Sequence, residues 1–92
     1  MTDLRPYLHT ILKQIAEDAS ARSGAPVPQL LSDSEDEAGM SGILDISVLT
    51  EAGSLASIYQ ETFSGLRTRT EVDDLLARGL STALMLHRQW PR

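Results

Sequence analysis

Cysteine is absent from the 92 residues. That excludes a disulfide scaffold, thiolate metal sites and cysteine nucleophiles, and it suits a reducing compartment, so a cytoplasmic location is expected. Lysine occurs once, at Lys13, which leaves little material for Schiff-base or phosphoryl chemistry. Aromatic residues make up 4% of the chain. No apolar run approaches the roughly 18 residues that span a bilayer, so no membrane partner is expected. The start, Met1-Thr2-Asp3-Leu4-Arg5, lacks the basic cluster and apolar run of a secretory signal.

Chemistry-bearing motifs are missing too. Serine is plentiful, but there is no G-x-S-x-G elbow, no G-x-x-x-x-G-K or G-x-G-x-x-G phosphate loop and no H-E-x-x-H. The two histidines, His9 and His87, stand near opposite ends of the chain with no local metal-ligand spacing. The acidic run at Asp33–Glu37 invites a calcium reading. Counting from Asp33, however, position six is Ala38 and position twelve is Leu44, where an EF-hand loop needs glycine and glutamate. No catalytic, cofactor-binding or metal-binding residues are expected, and the chain reads as a non-enzyme.

What is present is a 41% hydrophobic, 23% charged chain with a net charge of −5, the signature of a globular protein and of a single small domain over 1–92. Fourteen leucines carry most of the apolar mass. Leucine-rich, aromatic-poor chains favour helices, because side chains unbranched at Cβ lose little freedom there. The charge is uneven. Residues 1–42 hold seven acids and three bases, whereas residues 43–92 hold six acids and five bases.

Periodicity predicts a mainly α fold with three helices. The first runs over about 4–22, with Leu4, Tyr7, Leu8, Ile11, Leu12 and Ile15 on one stripe. Residues 24–42 read as a long acidic connector, because Pro26 and Pro28 cannot continue a helix and four acids follow within six residues; it either folds over the core or stays mobile. Residues 43–49 alternate Leu44, Ile46 and Val48 with Asp45 and Ser47, a strand pattern. No second run of this type exists, so the segment either pairs with its copy in a dimer or is an extended or helical lead-in. The second helix is expected over about 52–64, with Leu55, Ile58, Tyr59, Thr62, Phe63 and Leu66 on one stripe. The third, over 69–88, is the clearest: Thr68-Arg69-Thr70-Glu71 fits a capping box, and Val72, Leu75, Leu76, Gly79, Leu80, Ala83 and Leu84 share one face.

These faces carry more apolar surface than so short a chain hides comfortably, so the expected function is protein binding. The chain reads as a small acidic regulator (an inhibitor, adaptor or chaperone-like factor) that occludes or bridges a partner protein with a basic surface. Candidate partner-binding residues are Asp33, Glu35, Asp36 and Glu37 in the acidic run, and Leu84, Met85 and Trp90 near the end. A homodimer is expected, with Leu44, Ile46 and Val48 at a strand seam and the small residues Gly79 and Ala83 admitting a second helix.

Residues 44–86 read strand, helix, turn, helix, and Gly65-Leu66-Arg67-Thr68-Arg69-Thr70-Glu71-Val72 resembles the entry to the second helix of ribbon-helix-helix repressors. That resemblance implies a dimer paired through one strand from each chain, with outward strand side chains in the DNA major groove, and hence a DNA-binding transcriptional regulator as the alternative function. The outward positions here are Asp45 and Ser47, where such repressors carry basic or amide side chains, and Asp45 has the wrong sign for phosphates and base acceptors. A net acidic field also works against general nucleic-acid affinity. A second alternative uses that acidity directly, in an inhibitor that mimics nucleic acid.

Overall fold

A computed structural model describes residues 4–19, 24–50 and 52–89. Five elements follow in the order α1 (Arg5–Ala19), β1 (Pro26–Asp36), β2 (Gly39–Leu49), β3 (Leu55–Leu66) and α2 (Arg69–Arg88). The three strands form one antiparallel sheet in the order β1-β2-β3. Among the described residues, helix and strand take nearly equal shares, 43% and 42%. The fold is therefore α+β, and the mainly α, three-helix expectation is corrected.

The correction falls on two segments. The connector at 24–42 is β1, a turn and the start of β2. Pro26 and Pro28 are compatible with β1 because it is an edge strand, whose amides need not all face a neighbour. The expected helix at 52–64 is β3. Its apolar spacing imitates a helix because the ladder is irregular twice, between Ile46 and Ser47 and between Met40 and Gly42. Each irregularity gives β3 an extra residue and shifts the side-chain alternation. Apolar residues of a two-residue repeat thus reach spacings of three and four. The strand pattern at 43–49 belongs to β2, which starts earlier and lies in the centre. Its missing partners are the two segments whose pattern concealed them, and no second copy of the chain is needed to complete the sheet.

Both helices pack on one face of the sheet. Leu4 and the α1 residues Leu8 and Leu12 meet Met40, Leu44 and Ile46 of β2, Phe63 of β3, and Val72, Leu75, Leu76 and Ala83 of α2 in one buried cluster. The helices are tied to each other where the Tyr7 hydroxyl donates to Asp73 at 2.8 Å and the Arg69 guanidinium lies 4.8 Å above the Tyr7 ring. At the start of α2 the Glu71 amide donates to the Thr68 hydroxyl at 3.1 Å, while a Glu71 carboxylate oxygen accepts from the Arg67 amide at 3.2 Å. The capping-box residues thus satisfy donors that a helix start leaves open.

Two glycines show how closely the layers approach. A Cβ on Gly42 would collide with the Ser32 carbonyl oxygen across the β1–β2 ladder and stand 3.0 Å from the Phe63 ring. A Cβ on Gly79 would stand 3.2 Å from the methyl ends of both Ile46 and Leu44. Backbone cannot yield, but side-chain ends can. Gly42→Ala is therefore expected to cost about 2–4 kcal/mol in urea denaturation. Gly79→Ala should stay within about 1 kcal/mol of the parent, because better helix propensity offsets the crowding. Equal losses at both positions would contradict this packing.

Candidate functional site

The sheet's other face carries no helix. Along β2, Leu44, Ile46 and Val48 point to the helices, so Ile43, Asp45, Ser47 and Leu49 point away from them. At the centre of this bare face lies Asp45, only 2% exposed, opposite Gln29 of β1 and Gln60 of β3. One carboxylate oxygen accepts from the Ser57 hydroxyl at 2.5 Å and the Gln60 amide at 3.1 Å. The other accepts from the Ser47 hydroxyl at 2.8 Å and the Gln29 amide at 3.1 Å. Four neutral donors from three strands thus saturate one anion. The cover is a single layer of side chains, so the carboxylate is dry but shallow.

Burial works to raise the pKa of this carboxyl, but the hydrogen bonds from Ser57, Gln29, Ser47 and Gln60 together outweigh it. The Asp45 pKa is held below its ordinary value. A group whose pKa is depressed by folding stabilises the fold above its unfolded pKa of about 3.9, and that stability is lost as pH falls through the lower folded value.

A second network lies on the helix side. Glu61 of β3 faces α2, where Arg78 donates to it at 2.7 Å, and the Tyr59 hydroxyl donates to its other oxygen at 2.6 Å. Arg78, against the opposing effect of burial and with help from Tyr59, lowers the Glu61 pKa; Glu61 in turn raises those of Tyr59 and Arg78.

The acidic run is largely engaged within the fold. A bulge at Leu31, between Leu30 and Ser32, turns Asp33 and Glu35 toward α1. Asp33 lies 3.0 Å from His9 Nε2, and Glu35 accepts from the Leu4 amide at 3.2 Å with Arg5 at 3.8 Å. Asp36 accepts from the Ala38 amide at 2.8 Å across the hairpin turn. The carbonyls of Glu37 and Ala38 take the Arg67 guanidinium. Asp33, Glu35, Asp36 and Glu37 therefore form no continuous free acidic patch.

Leu44, Ile46 and Val48 are buried under the helices, and both edges of β2 are occupied by β1 and β3. Gly79 and Ala83 are buried on the same side. None of these five is open to a second copy of the chain. Leu84 and Met85 are exposed, at 37% and 53%, on α2. Trp90 lies outside the described residues. The strand-helix-turn-helix order implied by the ribbon-helix-helix resemblance is also overturned, since β3 stands in place of the first of its two helices. Asp45 and Ser47, the expected DNA-facing residues, are spent on each other and on their strand neighbours.

The Asp45 network was missed in the sequence. Its one visible signal is an aspartate between Leu44 and Ile46, in a run otherwise fit for burial. The donors Gln29, Ser57 and Gln60 gain meaning only once the register is known. A shallow groove between α1 and β1, lined by His9, Lys13, Ala16, Pro28 and Asp33, brings together a histidine, a lysine and a carboxylate at the surface. Among the described residues no group of three or more His, Cys, Asp or Glu is placed to hold a metal ion. None of the described helices is long and apolar enough to cross a membrane. Comparison with protein-family models, curated proteins and solved structures finds no match.

Asp45→Asn keeps the shape but turns one acceptor oxygen into a donor facing two donors. It is expected to cost about 2–4 kcal/mol at neutral pH, since hydrogen bonds to a charged group are worth about 1.5–3 kcal/mol each. Urea midpoints measured from pH 7 down to pH 2 should show the deficit shrinking toward the acid end. A deficit independent of pH would count against a stabilising carboxylate.

Proposed function

We propose that this chain is a non-enzymatic protein-binding module whose working surface is the bare face of its sheet. It acts by occupancy, covering or bridging a surface of its partner. The observation that carries the reading is the makeup of that face. Leu31 at its bulge is 53% exposed and Leu55 is 51% exposed, while Ile43 and Leu49 are half-buried between them. These apolar side chains surround a polar centre whose carboxylate already has its hydrogen bonds. A partner can cover this centre without stranding a charge, because both Asp45 oxygens are satisfied inside the sheet. Ser32, Ser34 and Thr62 are exposed around it and offer rim hydrogen bonds, which gives the mixture of apolar core and polar rim found in protein interfaces.

The overall charge of −5 favours a partner with a basic surface and speeds encounter at low salt. Asp45, the one buried carboxylate of this face, is committed to structural partners, which supports binding over chemistry as the occupation of this surface. Leu31→Asp and Leu55→Asp are both exposed changes, so each should leave the thermal midpoint within a few degrees of the parent. Proximity crosslinking in the source cells, followed by direct titration of the crosslinked protein, should show affinity falling at least tenfold in each variant. An affinity unchanged by both substitutions would reject the sheet face as the working surface.

A further inference from the structure

The outer side of α2 points to an association that does not rest on the sheet face. Val72, Leu75, Leu76, Gly79 and Ala83 define the side of α2 that is buried. At 100° per residue, the opposite side is centred on Ser81 and carries Asp74, Ala77, Leu84, Met85 and Arg88. All six are exposed. The side of a helix turned fully to solvent normally collects charge. Here the middle, from Ala77 to Met85, presents an alanine, a serine, a leucine and a methionine, with Arg78 at its margin bound back to Glu61 at 2.7 Å. The charges stand at the ends, Asp74 on one and Arg88 on the other, each seven residues from Ser81.

We propose that this surface binds a second copy of the chain, with the two α2 helices antiparallel about a two-fold axis beside Ser81. The argument is charge complementarity under that symmetry. An antiparallel pair centred on Ser81 brings Asp74 level with the partner's Arg88, and the same pair recurs on the other side of the axis. Leu84 and Met85 come level with the partner's Arg78 and Ala77, so large side chains meet a small one and an aliphatic stem. Ser81 at the crossing lets the backbones come within the 8–10 Å of packed helices.

Charge also selects this surface over others. The chain is acidic overall, but α2 holds Glu71, Asp73 and Asp74 in its first turns and balances them with Arg69, Arg78 and Arg88. Two acidic molecules can therefore approach here without the repulsion that the β1–β2 hairpin would impose. Opposed helix dipoles add to the attraction. A single helix face is small against the roughly 800 Å² per partner of a standard interface, so the dimer is concentration-dependent.

The absence of cysteine makes a direct test clean. Sedimentation velocity on the full chain should show a monomer–dimer equilibrium. Asp74→Arg sets like charges together twice and should weaken it at least tenfold, and the double variant Asp74→Arg/Arg88→Asp should bring it back to within about threefold of the parent. Ser81→Cys should form an intermolecular disulfide under mild oxidation, whereas Thr62→Cys on the sheet face should not. Circular dichroism of each variant separates lost pairing from lost folding, since all these positions are exposed. A chain that stays monomeric at millimolar concentration overturns the proposal and leaves this surface to a different protein. A dimer indifferent to the charge reversal overturns it equally.

Discussion

The central strand β2 is buried on both sides by unlike means, and the rest of the molecule is arranged around that constraint. Leu44, Ile46 and Val48 lose their water to two helices. Asp45 and Ser47 lose theirs to side chains of the same sheet. A three-stranded sheet with helices on one face has one layer too few to bury a central strand completely. Here the second side is closed by polar groups, and this works because every lone pair of the carboxylate finds a donor. An anion so placed without those donors would cost several kcal/mol. The network also fixes register. A one-residue slip of β1 or β3 would move Gln29, Ser57 or Gln60 to the other face and strand the charge.

The bulges carry the same constraint into the edge strands. At Leu31 one extra residue changes which side β1 presents. Upstream of it Pro28 and Leu30 face the helices; downstream, Asp33 and Glu35 do, where His9, Arg5 and the Leu4 amide receive them. Without the bulge the serines would turn inward and the acids would lie on the bare face around Asp45, adding like charge to an already buried anion. On β3 the irregularities bring both Ile58 and Tyr59 against the core, then hand the inward positions to Glu61 and Phe63. Glu61 is tolerable there because Arg78 of α2 reaches it.

How much of this was legible follows from the same details. α2 was readable because cap, periodicity and dipole-matched charges all agree between Thr68 and Arg88, and agreement across levels is what specifies a structure. The alternation at 43–49 was readable as a strand because Leu44, Ile46 and Val48 alternate with polar residues and because Ile43, Ile46 and Val48 are β-branched. β3 was not readable: its irregular ladder gives Leu55, Ile58, Tyr59, Thr62, Phe63 and Leu66 a helical rhythm that its backbone does not follow. β1 was hidden by its own edge devices. Prolines, a bulge and a run of acids are what keep an exposed strand from pairing with strangers, and they are also what make a segment look like a loop. The Asp45 site needs three strands in register, so no local pattern could announce it.

The two open surfaces differ in a way that follows from how each element satisfies its charges. On the bare sheet face the one buried charge is closed off internally, so what remains available is apolar area and hydroxyl groups. On the outer side of α2 the charges sit at the ends of an uncharged middle and are not consumed by the sheet. A surface of the first kind is indifferent to the symmetry of whatever covers it. A surface of the second kind, with opposite charges equidistant from its centre, is complementary to itself when reversed, which is the condition for an isologous contact. The acidic hairpin completes the division. With the carboxylates of Asp33 and Glu35 directed to α1 and that of Asp36 to its own turn, it adds to the long-range field that draws a basic partner while contributing little to any contact.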